Sequence, residues 1–350
     1  MSQDSDLRVV QRIRNLPKIK TDIPGGRCTR PWRVLNIDHR GRVFLCPCDG
    51  WLPFSVGHVL DFNSVDEIFN SAVAKSIQQT ITAGTYEFCD TEYCGVKVDN
   101  FAESDVYVDK HGISNHDTFQ IEIGIDNSCN LHCPSCRTGL IFNESDNYVN
   151  ERISWVNRIY QWINEKPKSM FFITIGANGE PFASPVYLKL FAKEFNPNVK
   201  FSIRTNATLA KRHIANLKLL PNLTNILISI DAASKEVYEQ VRQPAKWETL
   251  LDNIDYLMDL RKSYPFRMEG SFVIQRTNLD DAIPFIKFCQ DRDMEITFVP
   301  VANWSSFIDY DHECVHQPTS DLYTKFIQII NDSATHEIWN RYPWTKDYIA

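Results

Sequence analysis

Cys129, Cys133 and Cys136 stand in the run Cys129-Asn130-Leu131-His132-Cys133-Pro134-Ser135-Cys136. This C-x3-C-x2-C triplet follows an alternating stretch, Phe119 to Ile125, that reads as a strand. Three thiolates can hold three corners of a cubane iron–sulfur cluster, which normally takes four ligands. The fourth iron is then open, and an open metal position suits chemistry where a closed one suits structure. Zinc is the competing occupant, but it favours four ligands and paired C-x2-C knuckles, often with His. His132 lies inside the triplet, where its neighbours already occupy the local turn.

Seven further cysteines bring the total to ten: Cys28, Cys46, Cys48, Cys89, Cys94, Cys289 and Cys314. The N-terminus has no apolar run behind its charges, and no stretch has the length of a membrane span, so a cytoplasmic protein is expected. In a reducing cytosol such clustering argues for metal over disulfides. Cys289 sits on an apolar helix face beside Phe285 and Phe288 and reads as a core residue. Cys314, between His312 and His316, reads as part of a surface loop. Net charge is −7 over 350 residues, which gives no sign of a nucleic-acid partner. Residues 1–45 carry ten Lys/Arg against four Asp/Glu, and residues 1–27 read as a solvated basic arm.

The elements that must position these residues follow from periodicity. Val34 to Leu45 reads as a hairpin turning at His39-Arg40-Gly41, and Ser64 caps an amphipathic helix running to Gln79. From residue 119 strands alternate with helices. The strands fall at 119–125, 170–175, 200–204, 225–230, 266–274 and 295–299. Apolar faces for the helices include Ile153, Val156, Tyr160 and Ile163; Val186, Leu190 and Phe195; and Ile214, Leu217 and Leu220. Later helices run near Lys235–Arg242, Glu248–Lys262 and Asp280–Arg292. Short connections between six such units indicate an α/β fold, an open (βα)6 partial barrel on a parallel sheet. The domains expected are 28–98 (a small α+β unit), 99–118 (a linker), 119–300 (the core) and 301–350 (an extension).

With the triplet and these strand ends, the chain resembles the radical S-adenosylmethionine (radical SAM) superfamily over residues 119–300. Gly176-Ala177-Asn178-Gly179-Glu180-Pro181 is similar to the family's Gly-Gly-Glu-Pro segment, with Asn178 in place of the first of those glycines. Arg204-Thr205-Asn206-Ala207-Thr208-Leu209 resembles its Thr-Asn-Gly-Thr-Leu segment, with Ala207 in the Gly place. Ser229-Ile230-Asp231-Ala232, with the later Arg242, resembles its Ser-x-Asp-Gly segment and Arg. Ser135 stands where much of the family has an aromatic ring against the adenine. The resemblance implies SAM contacts from Gly179, Glu180, Thr205, Asn206, Ser229 and Arg242, with Asp231 either a contact or a helix cap. Asn303 and Trp304, after the sixth strand, lie where substrate would enter.

Cys28, Cys46, Cys89 and Cys94 resemble the ligands of a SPASM-type twitch module, here placed before the barrel. That resemblance implies an auxiliary iron–sulfur cluster, with Cys48 a competing ligand and zinc or an empty relic the alternatives. The implied activity is reductive cleavage of SAM at a [4Fe–4S] cluster to a 5′-deoxyadenosyl radical, fed by a flavodoxin- or ferredoxin-type donor. The radical would take hydrogen from a small molecule, sugar- or nucleotide-like, for oxidation or rearrangement. The alternatives are a maturase of a ribosomally made peptide and a non-catalytic iron–sulfur or zinc scaffold.

Overall fold

The computed structural model describes residues 27–48, 50–90, 94, 108–109, 117–176, 178–342, 345 and 348. The basic arm up to Gly26, most of the expected linker and Ala177 lie outside the described residues. The chain divides into two compact units. The first takes the described residues of 1–126, 144–178 and 195–201; the second takes those of 127–143, 179–194 and 202–350.

In the first unit, β1 (Arg27–Cys28), β2 (Val34–Ile37), β3 (Arg42–Phe44), β4 (Gly57–His58) and β5 (Val108–Asp109) precede β6 (Thr118–Ile123) and β7 (Met170–Ile175). β2 and β3 form the expected antiparallel hairpin, with Asn36 opposite Phe44. Gly41 makes the turn at φ +74°, a left-handed conformation that glycine adopts without strain. β2 then pairs in parallel with β6, Val34 beside Gln120, and β6 pairs in parallel with β7. β1 and β5 form a separate antiparallel pair. The cysteine-bearing segment therefore extends the same sheet that carries the first strands of the α/β core.

The apolar residues explain this union. Phe69 stacks on Phe119 and Phe119 on Phe171, with ring centroids 6.0 and 5.2 Å apart. The single helix expected over 64–79 is two: α1 (Val65–Asn70) and α2 (Ala72–Thr82). Ser64 accepts from the Glu67 amide as expected, and Ser71 breaks the run by accepting from the Ala74 amide in turn. α3 (Asp146–Asn164) buries Trp155, Val156, Ile159, Trp162 and Ile163. Its Trp162 Nε1 donates to the Phe62 carbonyl at 3.1 Å.

In the second unit, α4 (Pro185–Phe191) precedes β8 (Val199–Thr205), of which residues 202–205 belong here. α5 (Ala210–His213), β9 (Leu223–Ser229), α6 (Lys235–Val241), α7 (Trp247–Leu260), β10 (Arg267–Ile274), α8 (Ala282–Gln290) and β11 (Glu295–Pro300) follow. The strand order is β8-β9-β10-β11, with parallel registers Ile226 to Met268 and Phe272 to Phe298. β11 is an edge, as β4 is in the first unit, so the fold is α/β with an open sheet.

Two helical expectations are corrected here. Phe195 lies beyond α4, which ends at Phe191. Ile214, Leu217 and Leu220 do not share a regular helix: α5 gives way to 3-10 turns over Ile214–Asn216 and Leu220–Asn222, where Pro221 cannot donate to a helix. α9 (Tyr310–Glu313), α10 (Tyr323–Ile330) and α11 (His336–Trp339) complete the chain. Among the described residues no helix is long and apolar enough to cross a membrane.

Candidate active site

The triplet lies in the second unit, together with Gly179, Glu180, Thr205, Asn206, Ser229 and Arg242. Cys129 and Cys133 are buried, and Cys136 is exposed. The loop is pinned by backbone hydrogen bonds. Cys129 N donates to the Ile141 carbonyl and His132 N to the Gln243 carbonyl, both at 2.8 Å. Glu180 N donates to the Ser128 carbonyl at 2.8 Å, which ties the Gly-Glu-Pro segment to the start of the loop.

Glu180 is 1% exposed, and its carboxylate is occupied within the protein. Oε1 accepts from Thr205 Oγ1 at 2.7 Å and from the Phe182 amide at 3.0 Å; Oε2 accepts from the Asn206 amide at 2.6 Å. Burial pushes this carboxyl up to about 7, against the pull of those three donors.

Asn206, Thr208 and Asn130 close a ring of side chains. Asn206 Nδ2 donates to Asn130 Oδ1 at 3.0 Å, Asn130 Nδ2 to Thr208 Oγ1 at 2.9 Å, and Thr208 Oγ1 to Asn206 Oδ1 at 2.7 Å. Between them Ala207 sits buried at φ +60°, the left-handed conformation that explains why the corresponding family position is glycine. Asn130 and Thr208 were not singled out from sequence. Their signal, an Asn inside the cysteine run and a Thr two residues after an Asn, fits an ordinary turn equally well.

Arg242 ends α6 and is directed inward. Its Nη2 pairs with the buried Asp231 Oδ2 at 2.5 Å, and its Nη1 donates to Cys133 Sγ at 3.6 Å. Asp231 is therefore no cap for α6. It accepts from the Val273 amide at 2.7 Å, while Asp281 Oδ2 takes the Ala233 and Ser234 amides at the helix start. Arg242 Nε and the Tyr238 hydroxyl are buried donors without a hydrogen-bond partner among the described residues. Ser229 is partly exposed at the carboxyl end of β9.

The donor types suit a cluster, although among the described residues no three His, Cys, Asp or Glu side chains converge on a single metal-ion position. Burial pushes the Cys129 thiol up to about 11 and raises that of Cys133, so neither ionises readily unless a metal takes the sulfur. Arg242 on Cys133 and Arg137, which hydrogen-bonds Cys136, supply guanidinium charge for an anionic set of thiolates. Residues 125–289 match the family model of the radical SAM superfamily. The chain belongs to the radical SAM superfamily. Residues 28–95 match the model of an iron–sulfur cluster-binding domain, SPASM. The cofactors of this radical SAM protein are accordingly a [4Fe–4S] cluster with SAM and an auxiliary iron–sulfur cluster.

Curated relatives include the GTP 3′,8-cyclase of Staphylococcus carnosus (strain TM300), 24% identical over 190 residues, which are 51% of this chain and 53% of the relative. The GTP 3′,8-cyclase of Staphylococcus haemolyticus (strain JCSC1435) is 27% identical over 192 residues, with the same shares. The chain spans about half the length of these relatives. Among solved structures, native anSMEcpe with bound AdoMet is 18% identical, with 64% of this chain and 62% of that one covered and a TM-score of 0.40. Streptococcus suis SuiB bound to precursor peptide SuiA is 14% identical, with 77% and 60% covered and a TM-score of 0.41.

In the first unit of this radical SAM protein, Cys28, Cys46 and Cys94 are buried and within electrostatic reach of one another. Burial pushes the Cys28 thiol up to about 11 and that of Cys46 to about 12. Arg30 lies over the Trp51 ring and points Nη1 at Cys46 Sγ, 4.0 Å away. Cys89 and Cys48 are partly exposed, Cys89 in a turn where its amide donates to the Tyr86 carbonyl. Cys289 is buried in the core as expected. Cys314 is also fully buried and hydrogen-bonded to Tyr310, which corrects the expectation of a surface loop: it closes α9 inward. Trp304 is 67% exposed, and Asn303 Oδ1 accepts from the Ser305 amide.

Proposed function

We propose that the chain is a radical SAM enzyme acting on a small nucleotide-like molecule in the cytoplasm, with Cys129, Cys133 and Cys136 as ligands of the SAM-binding cluster. When bound, cluster and SAM supply a one-electron cleavage that yields methionine and a 5′-deoxyadenosyl radical able to take hydrogen from substrate. The chain's own part is to hold and exclude. The Asn130–Thr208–Asn206 ring fixes the cysteine loop, and Glu180 locks the strand end behind it. Gly179, Ser229 and the Thr205-Asn206 backbone are the groups that would receive SAM. Arg242 Nε and Tyr238 Oη, buried donors without hydrogen-bond partners among the described residues, support a carboxylate bound beside Cys133.

The observation that carries this reading is the buried thiol pair, Cys129 and Cys133, beside a guanidinium that is itself anchored by Asp231. The match to GTP 3′,8-cyclases supports a nucleotide over a peptide as substrate. Cys28, Cys46, Cys89 and Cys94, with Cys48 as competitor, would hold the auxiliary cluster. A flavodoxin- or ferredoxin-type donor would supply the electron. The test is dithionite-driven SAM cleavage after anaerobic reconstitution. The wild type should form 5′-deoxyadenosine, and the triple variant C129A/C133A/C136A should form none. A wild type loaded with iron that leaves SAM intact would return the protein to a non-catalytic scaffold.

A further inference from the structure

Parallel sheets are ordinarily apolar on both faces, because helices cover both. In the second unit the two faces of β8–β11 differ. α8 covers one of them: Phe285 packs on Phe272 and Phe298, with ring centroids 5.0 and 5.8 Å apart. A Cβ built on Gly270 would meet Cys289 Sγ at 2.7 Å, so helix and strand touch there. Alternation sends Asn225, Ser229, Glu269, Ser271 and Thr297 to the other face. β8 joins that face through Ser202, whose Oγ accepts from Asn225 Nδ2 at 3.2 Å. Arg204, two residues further on, lies on the same face and is exposed.

Where a wholly aliphatic face would be expected, this one interleaves Leu227, Val273 and Val299 with a guanidinium, a carboxylate, hydroxyls and an amide. Asn225, only 8% exposed, keeps an Oδ1 that accepts nothing among the described residues. The registers fix the layout. Glu269 stands beside Leu227, and the Asn225–Ser202 side-chain bond brings Arg204, two residues on, close to the level of Leu227. Arg204 and Glu269 therefore flank β9 in one layer, roughly 10 Å apart at two strand spacings. Ser229 and Ser271 pair in register one layer nearer the carboxyl ends, roughly 7 Å on. The Thr297 hydroxyl donates to Glu269 Oε1 and holds that carboxylate in place.

We propose that this face is the substrate platform, on which Arg204 receives the phosphate of a nucleoside phosphate and Glu269 accepts from its N–H or O–H groups. This deepens the proposed function and rests on it. A guanidinium forks onto phosphate oxygens, and the two charged groups are spaced to take opposite ends of one small molecule. The layer lies just below Ser229, so a bound nucleotide would sit under the strand ends where SAM is expected.

The test is equilibrium dialysis of GTP and of guanosine against the reconstituted holoenzyme. GTP should bind at least tenfold tighter than guanosine. R204A should remove that advantage and R204K retain part of it, while E269Q should weaken both ligands alike. Iron content and melting temperature, unchanged in R204A, show that the variant is folded and loaded. Equal binding of GTP and guanosine, no binding of GTP, or full GTP binding by R204A would overturn the proposal. Failure of the wild type to cleave SAM is read in a separate assay and would strike the proposed function instead.

Discussion

Arg242 commits both terminal nitrogens inside the protein, one to Asp231 and one to Cys133. Breaking such a buried pair leaves an uncompensated charge, which costs about 3–5 kcal/mol. D231N should therefore lower the free energy of unfolding measured by urea titration by that amount, and a loss below about 1 kcal/mol would show the pair to be incidental. Glu180 gives a second prediction. Its carboxyl rises from an ordinary value near 4.5 to about 7 in the fold, so the folded chain holds the proton longer than the unfolded one. The stabilisation is full below about pH 4.5 and disappears as the pH passes 7. In the cluster-free protein, wild type should lose about 3 kcal/mol relative to E180Q between those limits. Parallel pH profiles for the two proteins would contradict the shift. The sequence picked out Glu180, Thr205 and Asn206 as one group facing a ligand. It could not show that they bind each other, because partners 25 residues apart leave no trace in spacing.

At the scale of elements, the six core strands were legible because each buries alternate apolar residues in a short run. Met170–Ile175 is found as expected, and the others shift by one or two residues at their ends. Helices were legible where a cap agreed with the apolar period, as at Ser64. They failed where a second cap interrupted it at Ser71, or where leucines fell on successive 3-10 turns. The loop that carries the triplet has no periodicity at all, and its shape depends on the Asn130–Thr208–Asn206 ring. N206A should cost about 1–2 kcal/mol locally and speed amide exchange at residues 129–136 roughly tenfold. Unchanged protection in that loop would mean that backbone bonds alone hold it.

For the whole molecule, the sequence placed a cysteine module before the core, and the structure joins the two through β2 on β6 and the Phe69–Phe119–Phe171 stack. A strand pairing of this kind depends on which edge is free, which local pattern does not encode. Removing the proposed ligands from the module should still leave the triplet its own cluster. C28A/C46A should fall from about eight irons per chain to about four, and an unchanged count would place the second cluster elsewhere. The central claim is that Cys129, Cys133 and Cys136 hold a cluster with one iron open to SAM. Low-temperature electron paramagnetic resonance of reduced C28A/C46A, with and without SAM, tests it most directly. A [4Fe–4S] signal whose g values shift when SAM is added is the predicted result, and a signal indifferent to SAM, or no signal in an iron-loaded protein, would contradict it.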